Sequence, residues 1–136
     1  MSAEQEPAAI GEDRVQCPHK GVTGFRRIWH AALYSVAGFK AAFRHEDSFR
    51  QEVLLAAFLI PAALLIPASA TGKALMVGSV VLVLIVELLN SAVEAVVDRI
   101  SLDEHVLAKR AKDIGSAAVM LALINVPVVW ALVLFG

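Results

Sequence analysis

Residues 80–99 are among the most apolar of the chain, yet Glu87, Asn90, Glu94 and Asp98 sit in them among valines, leucines and alanines. A carboxylate in hydrocarbon costs a few kcal/mol at least, and by some estimates about 10 or more. Such a group persists only with a partner, a metal or a task. At about 100° per residue, the four positions fall at about 0°, 300°, 340° and 20° around an α-helix, one narrow stripe. The segment therefore predicts a membrane helix with a polar seam, and the seam is where function is expected.

Composition supports the membrane reading. Of 136 residues, 58% are hydrophobic, where a soluble domain is about half apolar, and the excess is gathered in three blocks. One small domain is expected. Its aqueous part is too short for a second core, so function must come from helices in lipid or from several copies together. The net charge of −1 gives no sign of nucleic-acid binding. Cys17 is the single cysteine, which excludes an intrachain disulfide. The first apolar block begins near Val53, too late for a cleaved secretory leader.

Along the chain, residues 1–22 hold Glu, Pro, Gly and Asp with no sustained period and read as a flexible tail. Cys17 and His19 lack a second ligand pair and read as solvated. From about residue 24 to 45, Phe25, Ile28, Trp29, Leu33, Val36, Phe39 and Phe43 recur at three- and four-residue steps. Arg26, Arg27, His30, Lys40 and Arg44 lie mostly off that stripe. This predicts an amphipathic helix in the membrane interface. Three spans are expected at about residues 50–70, 74–98 and 113–135. Pro61 and Pro67 should bend the first or mark its end, with a short turn at residues 67–73 and a polar loop at about 98–112. Basic residues dominate before the first span and between the second and third, whereas Lys73 stands alone in the short turn. The N-terminus and second loop are therefore expected on the cytoplasmic side. The fold class is an all-α membrane protein with three transmembrane helices and an N-terminal surface helix.

This topology collects Glu46, Asp47, Arg50, Glu52, Glu94, Asp98, Arg99, Arg110, Lys112 and Asp113 at the inner interface, with Glu87 about two turns deeper than Glu94. Carboxylates one turn apart with an amide between them suit a hard divalent cation, and Mg²⁺ takes one or two carboxylates plus phosphate oxygens. A nearby lysine neutralises phosphate charge, and a desolvated glutamate accepts a hydroxyl proton. These parts suit phosphoryl transfer, although no common glycine-rich nucleotide loop is present. Plainer readings stand beside each. Glu87 and Glu94 could serve helix assembly alone, but two acids, an amide and a further acid on one stripe exceed that need. Lys112 and Asp113 could be an interfacial anchor and a helix N-terminal acid, and Arg50 and Glu52 a snorkelling base and a first-turn acid. His45 and His105 read as solvated histidines, and Trp29 and Trp130 as interface belt residues.

The segments Thr23-Gly24-Phe25, Glu46 with Phe49-Arg50-Gln51-Glu52, the run from Glu87 to Arg99, and Arg110-Ala111-Lys112-Asp113-Ile114-Gly115-Ser116-Ala117-Ala118 resemble the small bacterial integral-membrane diacylglycerol kinases. The likeness covers residues 23–136, which would be the membrane-embedded kinase domain, with the tail as an addition. It implies a homotrimer with active sites shared between subunits, in the bacterial inner membrane, transferring phosphate from MgATP to the hydroxyl of diacylglycerol. Carried over by position, it implies Glu87 as general base and Glu46 and Glu94 as Mg²⁺ ligands. Asp98, Lys112, Asp113 and Arg27, with the two metal ligands, would contact the nucleotide, and Asn90, Arg50 and Glu52 would support the substrate. His45 stands where better-known members carry asparagine, Val36 where an aromatic is familiar and Ala37 where a lysine is. These departures bear on lipid preference and affinity rather than reaction type. Two other functions compete. An undecaprenol kinase shares the fold and mechanism, and the Arg50-Gln51-Glu52 and Asn90-Ser91-Ala92 text leans away from it. A cation or proton carrier would need a polar path through the outer half of the second span, which from Ala74 to Val86 is apolar apart from Ser79.

Overall fold

The computed structural model describes residues 24–100 and 106–136. The tail at 1–22 with Cys17 and His19, the residue Thr23, and His105 lie outside the described residues. The chain divides into two compact units, Met1–Ser35 and Val36–Gly136. Four helices follow in order: α1 Phe25–His45, α2 Asp47–Leu65, α3 Ala70–Ile100 and α4 Val106–Phe135.

In the first unit, Gly24 opens α1 with φ +74°, a left-handed conformation that glycine adopts without a Cβ penalty. Its carbonyl accepts the Arg27 N–H at 3.1 Å. The apolar positions that recur along residues 25–43 all fall in α1.

In the second unit, α1 ends at His45 and α2 starts at Asp47. Glu46 alone separates them, with φ −111° and ψ 114°. Its N–H still reaches Ala42 O at 2.9 Å, and its own carbonyl accepts from Arg50 N at 3.3 Å. The Arg50 guanidinium donates at 3.2 Å to the carbonyls of Phe43 and Arg44, which α1 leaves without helical partners at its C-terminus. Arg50 also pairs with Asp47.

α2, α3 and α4 are each long and apolar enough to cross a membrane. α2 passes through Pro61 and α4 through Pro127 without a break. Proline is tolerated in membrane helices because neighbouring groups take up the freed backbone carbonyl. α2 ends at Leu65, just ahead of Pro67, as expected of a residue that cannot continue a helix.

Several boundaries differ from the sequence expectation: α2 runs Asp47–Leu65 rather than about 50–70. α3 begins at Ala70 rather than near residue 74. Ser69 caps it, its Oγ accepting the Gly72 N–H at 3.0 Å, the N-cap geometry that satisfies an orphan donor of the first turn. Lys73 then lies within α3 and donates to Leu64 O at 2.7 Å, closing the end of α2. α4 begins at Val106, so Lys109, Arg110 and Lys112 lie on helix and not in a loop. Leu, Ala, Lys and Arg at 107–112 are strong helix formers. At about 1.5 Å per residue, α3 and α4 run about 45 Å, against a hydrocarbon core of about 30 Å. The excess carries the charges at the ends joined by residues 101–105.

α3 is the central element and packs against both α2 and α4. Phe49, Ala56 and Ala63 of α2, Met76, Val80 and Val83 of α3, and Ala122 of α4 are buried. At the far end from the charges, a Cβ on Gly72 would lie 2.8 Å from Val133 Cγ1, so glycine lets α3 and α4 close there. Many large apolar side chains remain exposed, among them Leu54, Phe58, Leu65, Leu89, Leu121 and Leu132. Such a broad apolar surface is what helices set in lipid present.

Candidate active site

α2 and α3 run antiparallel, which brings the first turn of α2 beside the middle of α3. Glu87 is 3% exposed and Glu52 8% exposed, so two carboxylates are buried at one helix contact. Buried acids are rarely left without a partner. Glu87 has one: Ser48 Oγ donates to Glu87 Oε1. Glu52 has less, since its Oε2 is buried without a hydrogen bond. Beside Glu52 lies an apolar crevice of about 130 Å³ between α2, α3 and α4, with Leu55, Leu59, Val80, Val83, Leu123 and Val126 in its walls. Among the lining residues Glu52 is the one charged group.

One turn beyond Glu87 the stripe turns toward α4. Asn90 Nδ2 donates to Glu94 Oε1 at 3.0 Å. The chemistry fixes the amide's orientation, because only the nitrogen of an amide can donate to a carboxylate. Its Oδ1 then faces Gly115 of α4, where an added Cβ would overlap it, and that oxygen has no hydrogen-bond partner. One turn further, Asp98 Oδ1 accepts from Lys112 Nζ at 2.6 Å. The two side chains are 63% and 41% exposed, so the pair is solvated and contributes little to stability. What it does is hold a cation at the start of α4, beside an acidic helix end.

The structure thus arranges the expected residues in three contacts along α3: Glu87 with α2, Asn90 with Glu94 and against α4, and Asp98 with Lys112. About 10 Å separate Glu87 from Glu94 along the axis. Asp113 is exposed at the same end of α4 as Lys112. Arg50 is engaged by Asp47 and by α1 carbonyls, so this structure gives it a bracing contact. Arg27 belongs to the first unit. Glu46 is the N-cap residue of α2, and its carboxylate makes no capping bond there.

Two residues to which the sequence assigned no role complete the arrangement. Ser48 touches Glu87, and Gly115 gives Asn90 its room. Nothing local marks Ser48, one serine in a helix first turn. Only the register of the α2–α3 hairpin places it opposite Glu87.

Among the described residues, no three His, Cys, Asp or Glu side chains gather tightly enough to hold a metal alone. A Mg²⁺ that keeps waters and phosphate oxygens needs only one or two carboxylates. Glu46, which spends no oxygen on its helix cap, and Glu94, held by an amide, fit that demand.

Comparison with known proteins places the chain in a family. The model of the prokaryotic diacylglycerol kinase family matches residues 33–134. A diacylglycerol kinase of Pseudomonas aeruginosa is 56% identical over 119 residues, covering 88% of this chain and 97% of the relative. A diacylglycerol kinase of Escherichia coli K12 is 47% identical over 114 residues, covering 84% and 93%. That of Haemophilus influenzae is 47% identical over 113 residues, covering 83% and 96%. The match takes in α2 and α3 whole and nearly all of α4, with every residue of the polar stripe inside it, and on that extent the chain belongs to the prokaryotic diacylglycerol kinase family.

Proposed function

We propose that the chain is an ATP-dependent lipid kinase that phosphorylates the free hydroxyl of diacylglycerol to give phosphatidic acid. The observation that carries this reading is the buried, hydrogen-bonded Glu87 at the α2–α3 contact, in a membrane chain whose relatives are named diacylglycerol kinases. Among the described residues no cation pairs with Glu87, and a proton-accepting role accounts for its burial.

In this mechanism Glu87 takes the proton from the lipid hydroxyl as its oxygen attacks the γ-phosphorus of ATP. The bond to the β–γ bridging oxygen breaks, and ADP leaves with that oxygen. Glu46 and Glu94 would hold Mg²⁺, which supplies charge neutralisation on the phosphates when bound. Lys112, kept in place by Asp98, adds positive charge for the phosphates, and Asp113 lines the nucleotide side; Arg27, in the first unit, is assigned to the nucleotide by its family position alone. Asn90 orients Glu94, and the apolar crevice ending at Glu52 suits the entry of a lipid alcohol. Arg50 braces the α1–α2 corner and so supports Glu46. The sites are completed by neighbouring subunits in a homotrimer, which also covers the exposed apolar faces. Basic residues ahead of α2 and at the α3–α4 junction favour a cytoplasmic N-terminus and an active site at the inner face of the cytoplasmic membrane, with α1 in the interface.

The test is ATP turnover by purified protein in mixed micelles with diacylglycerol, with undecaprenol and without lipid. Turnover that requires diacylglycerol is expected. A preference for undecaprenol would reassign the lipid, and no lipid-dependent turnover from a folded oligomer with Mg²⁺ would reject the kinase reading.

A further inference from the structure

Ser48 stands at the second position of α2. A serine in a first helical turn ordinarily spends its hydroxyl on nearby backbone. Here the hydroxyl instead crosses to α3 and donates to Glu87 Oε1, a bond that spans 39 positions of sequence. Ser48 is exposed on its outer side, whereas Glu87 is buried, so the hydroxyl caps the side of the carboxylate nearest water. The bond occupies Oε1 alone among the two carboxylate oxygens. A single-donor hydroxyl of this kind restricts rotation of the terminal carboxylate, which is otherwise broad and nearly two-fold. Glu52, the other buried acid at this contact, has no donor on its Oε2. The arrangement thus distinguishes one carboxylate of the two by a dedicated donor.

We propose that Ser48 is a positioning residue for the reaction: its hydroxyl holds Glu87 Oε1 so that Oε2 is directed at the lipid hydroxyl. This rests on the reading of Glu87 as the proton acceptor. Ser48 does not touch the reacting atoms. It reduces the orientations that Glu87 samples and shields the carboxylate from competing water, so its contribution appears in kcat rather than in the KM of either substrate.

The experiment compares Ser48→Val, Ser48→Thr, Glu87→Gln and the double variant Ser48→Val/Glu87→Gln, each as full-length protein in mixed micelles with diacylglycerol and MgATP. Val and Thr have nearly the same shape and differ in the hydroxyl. Ser48→Val is expected to lower kcat about tenfold, the scale of a lost hydrogen bond to a charged group, with both KM values unchanged. Ser48→Thr should restore most of it, and Ser48→Val should add nothing in the Glu87→Gln background. Equal activity of the Val and Thr variants would assign Ser48 to packing and overturn the proposal, as would an unchanged kcat in Ser48→Val. Full turnover by Glu87→Gln would instead reject the underlying role of Glu87, so the two failures are told apart.

Discussion

Replacing Gly115 with alanine isolates the link between α4 and the glutamate that we assign to Mg²⁺. The new Cβ would overlap Asn90 Oδ1 and lie 3.2 Å from Asn90 Cγ. Carbon atoms pack comfortably at about 3.5–4.0 Å, so the amide must retreat by about half an ångström or more. Both atoms belong to the end of a side chain with two torsions, and it moves before either helix does. The Asn90–Glu94 bond is 3.0 Å long, and the same retreat carries it toward about 3.5 Å, where hydrogen bonding is lost. A hydrogen bond to a charged group is worth about 1.5–3 kcal/mol, whereas glycine to alanine within a helix returns about 1 kcal/mol. Global stability should therefore change little, while Glu94 loses its holder. Taking the lower figure, apparent Mg²⁺ affinity falls about tenfold. The assay is a Mg²⁺ titration of ATP turnover at saturating ATP and diacylglycerol, run beside thermal melting and oligomer sizing. Glu94→Gln should shift the titration in the same direction and further. An unchanged half-saturating Mg²⁺ in a folded Gly115→Ala protein would refute the reasoning, because it would mean that Asn90 does not govern Glu94.

Glu87→Gln should preserve assembly and lose nearly all lipid phosphorylation, measured as phosphatidic acid formed per oligomer; retained turnover would remove Glu87 from the proton-accepting role. Asp98→Asn should alter melting by less than about 1 kcal/mol, as for a solvated pair, yet raise the KM for ATP by releasing Lys112. Equal KM values would show that the ion pair does not serve the nucleotide. Removal of residues 1–22 should leave kcat and both KM values close to those of the full chain, and an inactive truncated protein would place the tail in the site.

The helices of this fold are legible because the membrane imposes a simple rule: a backbone in hydrocarbon must bond to itself. The apolar runs thus announced α2, α3 and α4, and the period of Glu87, Asn90, Glu94 and Asp98 announced the seam. The extra turns of α4 at Val106 were hidden because polar residues there carry no hydropathy signal, although their helix propensity is high. The start of α3 depended on Ser69 acting as a cap, a local bond that hydropathy does not register. Within the site, one-helix geometry was readable and inter-helix pairing was not. Ser48 with Glu87 and Gly115 with Asn90 follow from the register of two hairpins, which depends on loop lengths and on packing at residues such as Gly72. Arg50 is a further case. Its family position implies a role at the substrate rim, and the structure adds contacts of its guanidinium with the open carbonyls of α1 and with Asp47 that the sequence does not show.

Glu46 is the sole residue between His45, the last of α1, and Asp47, the first of α2. Rigid rods meet there at a joint with two torsions and no slack. Any pivot of residues 36–45 against α2 must be absorbed by the φ and ψ of that one residue, unless a helix end unwinds. Arg50 clamps the joint from outside by gripping the last carbonyls of the preceding rod. A bend at the corner therefore swings the Glu46 carboxylate through space, and a proposed metal ligand is mounted on the axle of that joint.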